Sequence, residues 1–280
     1  MEGIELHFRQ FGDDAGSSGN ILLVHGFAGS TFSWRHVFPA LELEGYRVIA
    51  VDLPGFGLSE RDTSFAYTSA TRAELLWSLL NSIKPDARWH LVGHSMGGGT
   101  VTAMVLQKPE LVESLVLVAG AIPGNGSARS TWLFRYPPVS RWVRQLTTRY
   151  FLAENNVYSM LTSAYGRPPD PDEFAGYYQP LLIENSDASL AAMLKVSDPS
   201  IKELLSTVDQ PALLIWGEKD SWVPLTEGTM LNKFFPHAEL VVLAGEGHCP
   251  METAPGIFNN FLLDFLKRGK KYKSPAKGVS

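Results

Sequence analysis

The chain has 280 residues, and its 45% hydrophobic and 19% charged residues are ordinary for a globular protein and exclude an intrinsically disordered one. A net charge of −5 excludes the positive field of a general nucleic-acid-binding protein. The single cysteine, Cys249, excludes an internal disulfide, and no apolar run approaches the roughly 20 residues of a membrane span. Because the N-terminus also lacks the features of a secretory signal, we expect a cytoplasmic protein.

Short apolar runs bounded by Gly, Pro or Asp recur along the chain and predict buried strands. Residues 4–9 come first, and their alternating pattern predicts an edge strand of a hairpin. The apolar runs follow at 21–24, 47–51, 89–92, 115–118, 212–216 and 240–243. Helix-like stretches lie between or after them, at 31–44, 69–83, 95–107 and 255–267. This alternation predicts an α/β fold with a doubly wound, mostly parallel sheet.

The alternation stops between residues 123 and 206, a segment that we call the insertion. It has no comparable apolar run and is rich in aromatic residues, and we interpret it as helical. Two Pro-Pro pairs break it into pieces. Near the C-terminus, residues 267–280 contain six basic residues and no acidic one. We expect a basic, flexible tail over 269–280.

The strongest motif is the sequence G-H-S-M-G at 93–97, which matches G-x-S-x-G. It follows the apolar run 89–92 and opens a helix-like stretch, and this strand–turn–helix context is what a nucleophile elbow requires. Such a turn raises the serine hydroxyl above the sheet at a helix N-terminus, where backbone N–H groups favour developing negative charge. We therefore predict that Ser95 is a nucleophile.

Four further motifs make the sequence resemble the α/β-hydrolase family, and they occur in the order in which that family has them. They are H-G-F-A-G-S at 25–30, D-L-P-G-F-G-L-S at 52–59, G-E-K-D-S-W-V-P at 217–224 and G-E-G-H at 245–248. They resemble the family's oxyanion loop, the loop after its fourth strand, its acid-bearing loop and its histidine loop. The resemblance implies an eight-stranded sheet with a helical cap inserted after the sixth strand. Residues 1–122 and 207–268 would then form the hydrolase core, and residues 123–206 the cap.

The resemblance and the chemistry together predict a catalytic triad. A serine hydroxyl needs a base, and His248 stands in the loop where the family places that base. A carboxylate must hold the histidine in the right tautomer. Asp220 occupies the family's acid position, and Glu218, two residues earlier, is the alternative. The order Ser95, Asp220, His248 is the order of nucleophile, acid and base in this family.

The remaining predictions concern the surroundings of the reacting carbonyl. An oxyanion needs two preorganised donors, and the resemblance implies the backbone N–H groups of Phe27 and Met96. We expect His25 to fix the oxyanion loop through a hydrogen bond, and aromatic side chains to contribute to the pocket. The candidates for the substrate pocket are His94, Trp34, Trp222 and Val223.

The resemblance implies a serine hydrolase that needs no metal or cofactor and cleaves carboxylic esters of small to medium, fairly apolar substrates. The same triad also fits a carbon–carbon bond hydrolase of dienone ring-cleavage products, a lactonase or a perhydrolase. Carbon–carbon bond hydrolases of this type often carry asparagine where this chain has His94. A slow-turnover ligand receptor with this fold is an alternative from another class. The sequence leaves the natural substrate open, and it fits both a monomer and a homodimer.

Overall fold

The computed structural model describes residues 3–12, 18–123, 152–193, 196 and 198–271. Within these ranges, seven strands form one sheet in the order β1-β3-β2-β4-β5-β6-β7. All neighbouring strands are parallel except β1 and β3, which are antiparallel. The strands are β1 (Phe8–Phe11), β2 (Gly19–Val24), β3 (Tyr46–Val51), β4 (Trp89–His94), β5 (Val112–Val118), β6 (Ala212–Gly217) and β7 (Ala238–Leu243).

Helices follow most of the strands, as expected of a doubly wound sheet. They are α1 (Phe38–Leu43), α2 (Ser69–Ile83), α3 (Met96–Gln107), α4 (Glu154–Tyr165), α5 (Pro171–Leu181), α6 (Ser186–Met193), α7 (Leu225–Phe234), α8 (Pro250–Thr253) and α9 (Pro255–Lys271). Short 3₁₀ turns occur at Thr31–Trp34, Pro109–Leu111 and Lys202–Thr207. Among the residues described, no helix combines the length and the apolar character that a membrane crossing requires.

The apolar core lies on both faces of the sheet, which explains why the strands are continuous apolar runs. In β2, Leu22 and Val24 pack in one layer with side chains of α2 and α3. Ile21 and Leu23 point the other way and pack in a second layer with side chains of α1 and α9. All four side chains are fully buried, so the central strands are fixed by burial on both sides.

The described part of the sheet has seven strands, one fewer than expected. The prediction of a strand over 4–9 is wrong for its first half, because that backbone bonds to the loop after β3 instead of to a strand. The carbonyl of Glu5 accepts the N–H of Glu60 at 2.9 Å, and the carbonyl of His7 accepts the N–H of Asp52 at 2.9 Å. Each of the seven apolar or alternating runs still contributes one strand, so the eighth strand that the resemblance implies is the one not found in the described residues. The insertion follows the fifth described strand instead of the sixth.

Two helical predictions also differ from the structure, and one helix lies where none was predicted. The helix expected over 31–44 is divided into a 3₁₀ turn and α1, which has Pro39 in its first turn, where the missing N–H costs nothing. Helix α7 was not predicted. Helix α9 continues to Lys271, so the tail expected over 269–280 begins inside a helix, and residues 272–280 lie outside the described residues. In the insertion, α4, α5 and α6 are helices as predicted, and residues 124–151 lie outside the described residues.

Candidate active site

Ser95 alone makes the turn between β4 and α3. Its backbone has φ 49° and ψ −120°, a left-handed conformation that costs a side-chain-bearing residue on the order of 1–3 kcal/mol. The surrounding backbone holds it there: the N–H of Ser95 donates to the carbonyl of Val118 at 3.0 Å. The carbonyl of Ser95 accepts the N–H groups of Gly98 at 2.8 Å and Ala121 at 2.9 Å. The predicted strand–turn–helix context is confirmed.

The glycines on either side of the turn are required by close backbone contacts. A Cβ atom on Gly93 would lie 2.5 Å from the carbonyl oxygen of Gly97. A Cβ atom on Gly97 would lie 2.5 Å from the carbonyl oxygens of Val24 and His25. These neighbours are main-chain atoms of β2, of the loop that follows it and of α3, so they cannot rotate away as a flexible side chain would.

Gly97→Ala should therefore lower the free energy of unfolding by about 1–3 kcal/mol, the usual effect of overpacking a closed site. The matched control is Gly256→Ala at the start of α9, where no atom lies within 4 Å of an added Cβ. That control should leave stability unchanged or raise it by less than about 1 kcal/mol. Urea unfolding of both variants measures the difference, and equal stabilities would contradict the close approach at the elbow.

His248 and Asp220 form a buried pair in the loops after β7 and β6. The imidazole Nδ1 lies 2.8 Å from Oδ2 of Asp220. The other carboxylate oxygen, Oδ1, accepts the backbone N–H groups of Trp222 at 2.8 Å and Val223 at 2.9 Å. Because the carboxylate can only accept, Nδ1 carries the proton of the neutral ring and Nε2 is its proton acceptor.

The structure also separates the two acid candidates. Glu218 lies at an exposed position, where its Oε2 accepts the backbone N–H of Gly245 at 2.9 Å. Asp220 is 6% exposed and faces the imidazole. The geometry therefore brings Asp220, and not Glu218, to His248.

The loop after β2 is fixed by His25 and passes over Ser95. The His25 ring donates from Nδ1 to the carbonyl of Gly26 at 2.7 Å and accepts the N–H of Leu53 at Nε2, 2.9 Å away. Burial lowers the pKa of His25 below its usual value, which keeps the ring neutral for these two bonds. A Cβ atom on Gly26 would lie 3.0 Å from Cβ of Ser95, so this loop borders Ser95 closely.

One pocket is lined by both Ser95 and His248. Phe27 lies in its wall, and Met96 begins α3 directly after Ser95. The opposite wall comes from the insertion and is mostly apolar. Its apolar side chains include Val157, Met160, Leu161, Leu181 and Leu190.

Comparison with known proteins identifies the family of the chain. A family model described as alpha/beta hydrolase fold matches residues 19–255. The chain belongs to the alpha/beta hydrolase family. It is 30% identical to a 2-hydroxy-6-oxononadienedioate/2-hydroxy-6-oxononatrienedioate hydrolase of Burkholderia vietnamiensis, over 95% of this chain and 93% of that protein. It is 28% identical to Lipase 1 of Psychrobacter immobilis, over 90% of this chain and 77% of that protein.

A solved structure is also similar to this alpha/beta hydrolase. It is a thermophilic esterase from Thermogutta terrifontis, with a TM-score of 0.76 and 25% identity. The match covers 95% of this chain and 94% of the esterase chain. The predicted fold family is therefore confirmed, and the chain is a hydrolase.

Two of the four pocket candidates of the hydrolase are wrong. Trp34 is fully buried in the apolar layer with α1 and α9, because it ends a 3₁₀ turn whose side chains pack inward. Val223 packs against the core, and its backbone binds Asp220 and the indole N–H of Trp216. The other two candidates, His94 and Trp222, lie in the pocket wall.

The two remaining candidates of the hydrolase both contact His248. The indole ring of Trp222 stacks on the imidazole with a centroid distance of 5.6 Å and an interplanar angle of 18°. The Nε2 of His94 lies 3.0 Å from the carbonyl oxygen of His248. Burial, followed by the neighbouring His248, lowers the pKa of His94 well below its usual value. His94 is therefore a neutral ring that donates its Nε2 hydrogen to that carbonyl.

Cys249 directly follows His248 in the chain of the hydrolase and also lines the pocket. Burial raises the pKa of its thiol well above the usual value, and the carboxylates of Glu252 and Asp220 act in the same direction. A protonated thiol is a poor nucleophile, so Cys249 is chemically inert in this setting.

Sequence reasoning missed Ala164 and Tyr177, which the insertion brings to the site of the hydrolase, and Ser33 in the 3₁₀ turn after β2. The carbonyl of Ala164 accepts the backbone N–H of His248 at 2.8 Å. Ser33 and Tyr177 line the pocket and lie within hydrogen-bonding distance of each other, with 2.8 Å between their hydroxyl oxygens. No local motif marks these residues, because each contact joins segments that are far apart in the chain.

Proposed function

We propose that this hydrolase cleaves carboxylic esters of small to medium, fairly apolar substrates through an acyl-enzyme on Ser95. The observation that carries the proposal is the buried Asp220–His248 pair, which opens onto the same pocket as the strained Ser95 elbow. An apolar wall facing a serine, a histidine and a carboxylate favours a neutral acyl group over a strongly charged one. The similarity to a lipase and to an esterase supports the same reaction class.

The proposed reaction uses each residue in one role. Ser95 Oγ attacks the ester carbonyl while His248 Nε2 takes its proton, and Asp220 stabilises the resulting imidazolium. The backbone N–H groups of Phe27 and Met96 hold the oxyanion of the tetrahedral intermediate. His248 then gives the proton to the leaving alcohol. Water, deprotonated by His248, attacks the acyl-enzyme, releases the carboxylic acid and restores the Ser95 hydroxyl.

The division of the chain into core and cap is part of this proposal. Residues 1–122 and 207–268 form the core that carries all five residues named in the reaction. The insertion, residues 123–206, forms a helical cap that shapes the pocket. The apolar side chains of α4, α5 and α6 in the pocket wall support this role.

A second candidate is hydrolysis of a carbon–carbon bond in a dienone. The relative from Burkholderia vietnamiensis, 30% identical over nearly the whole chain, favours it. His94 stands where such hydrolases often carry asparagine, which favours the ester reaction. Lactone opening and perhydrolysis are further activities that the same triad permits.

One substrate panel distinguishes these candidates. Purified enzyme is assayed on p-nitrophenyl esters, lactones and a dienone, with Ser95→Ala as the blank. We expect the highest kcat/KM on esters. A higher kcat/KM on the dienone would replace the ester proposal with the carbon–carbon bond reaction. Tight binding with negligible turnover on every compound would favour a receptor.

The acyl preference should follow the apolar wall. Each buried methylene contributes about 0.8 kcal/mol, so kcat/KM should rise up to about fourfold per added carbon until the pocket is full, and then fall. Met160→Ala on α4 enlarges the pocket and should move the optimum to longer acyl chains. Ser159→Ala, its exposed neighbour, is the matched control and should keep the wild-type optimum. A flat wild-type profile, or the same optimum in both variants, would contradict the proposed pocket.

A further inference from the structure

The main chain of His248 is held from two sides. Its N–H donates to the carbonyl of Ala164, in the last turn of α4, at 2.8 Å. Its carbonyl accepts the Nε2 hydrogen of His94 at 3.0 Å. The loop before it also fits closely under α4, since a Cβ atom on Gly247 would lie 2.6 Å from the carbonyl oxygen of Ala164. The position of His248 therefore depends on where α4 lies.

A buried carboxylate connects the helices of the insertion to the segment that carries His248. Glu252 lies on α8 and is 3% exposed. Its Oε2 accepts the hydroxyl of Tyr165 on α4 at 2.8 Å, and its Oε1 accepts the hydroxyl of Tyr177 on α5 at 2.5 Å. The guanidinium of Arg35 also binds Oε2.

Arg35 and the two tyrosines partly offset the cost of burying the Glu252 carboxylate. Burial raises the pKa of Glu252, while Arg35 and the two phenols act in the opposite direction. Burial also raises the pKa of both tyrosines, so each hydroxyl keeps the hydrogen that it donates. Separating α4 or α5 from α8 would leave the carboxylate with fewer donors in a buried place, which is strongly unfavourable.

We propose that Glu252 is a positioning residue for His248. By binding Tyr165 and Tyr177, it fixes α4 and α5 so that the Ala164 carbonyl stays on the His248 N–H. This inference rests on the proposed role of His248 as the base. The insertion then has two separate tasks: its apolar side chains shape the pocket, and its polar side chains hold the base in place.

A purely structural role makes a different prediction. If the cluster only stabilised the fold, its loss would lower the melting temperature without changing kcat per active site. If it only shaped the pocket, its loss would change KM, and most strongly for long acyl chains. A positioning role predicts a lower kcat at nearly constant KM, by the same factor for every acyl length.

Tyr165→Phe is the sharpest test because it removes one hydroxyl from a side chain that is not in the pocket wall. We expect kcat to fall by about threefold to tenfold for acetyl and hexanoyl esters alike, with little change in KM. Tyr158→Phe, on the same helix with an exposed ring, is the matched control and should keep the wild-type kcat. Glu252→Gln, which weakens all three bonds, should lower kcat by about 10- to 100-fold.

A second measurement avoids the acyl pocket altogether. A small organophosphate reacts with Ser95 only when His248 accepts the proton, so its rate constant should fall by the same factor as kcat in each variant. Unchanged kcat and organophosphate rates in Tyr165→Phe would overturn the positioning role, even if Glu252→Gln fails to fold. Hydrolysis by Ser95→Ala would instead overturn the proposed function, so the two failures are distinguishable.

Discussion

Ser95→Ala should fold normally and lose ester hydrolysis by on the order of 10³-fold or more in kcat. Alanine lacks the hydroxyl that forms the acyl-enzyme, while the backbone bonds of the elbow remain available to it. An organophosphate should add one covalent group to the wild type, located on Ser95 by peptide mass spectrometry. Cys249→Ala is the matched control, since it removes the thiol next to His248, which is protonated and unreactive, and should keep full labelling.

His248→Ala tests whether Ser95 and His248 act together. It should be as inactive as Ser95→Ala, and the double variant should be no worse than either, because the two residues act as one unit. A hydrolytically active Ser95→Ala enzyme, or labelling at another residue, would contradict the assignment of the nucleophile.

Asp220→Asn should lower kcat by on the order of 10³- to 10⁴-fold, by analogy with other triads. The two N–H groups of Trp222 and Val223 point at Oδ1, so the amide of asparagine would place its oxygen there. Its NH₂ group would then face His248 and would force Nδ1 to accept a hydrogen bond. The proton of the neutral ring would move to Nε2, which could no longer take the proton of Ser95.

Glu218→Gln is the matched control for this substitution. Its amide oxygen can still accept the N–H of Gly245, and the residue lies at an exposed position, so kcat should change by less than about threefold. Steady-state measurement of kcat for both variants on one ester shows which of the two carboxylates is the acid of the triad. A severe loss in Glu218→Gln with a mild loss in Asp220→Asn would move the acid to Glu218.

The sequence predicts most of the sheet because burial on both faces leaves continuous apolar runs that are bounded by turn residues. The Ser95 elbow is equally clear, since a tight strand–helix turn tolerates few residue types beside the serine. The edge of the sheet is harder to predict from the sequence. Residues 4–7 alternate like a strand, but the loop at 52–60 offers their backbone a different set of partners.

The pocket could be predicted only in part, since His94 and Trp222 line it and Trp34 and Val223 do not. Whether a tryptophan such as Trp34 points into the core or into a cavity depends on the direction of one side chain, which local sequence does not fix. The hydrogen bond between the Ala164 carbonyl and the His248 N–H joins two main-chain groups, so neither side chain identity predicts it. The contact of Glu252 with Tyr165 and Tyr177 joins three helices whose packing is decided only in the folded chain.

The strand order explains why the chemistry sits where it does. β2 and β4 are neighbours in the sheet but not in the chain, and the helices that follow them, α1 and α3, pack on opposite faces. The loops leaving their carboxyl ends diverge, and a crevice opens at this topological switch point. Ser95 and the loop at 25–30 border this crevice because they directly follow the neighbouring strands β4 and β2. Under the proposed function, a different set of helices above the crevice would change the substrate without altering the sheet, as long as a main-chain carbonyl still accepts the N–H of His248.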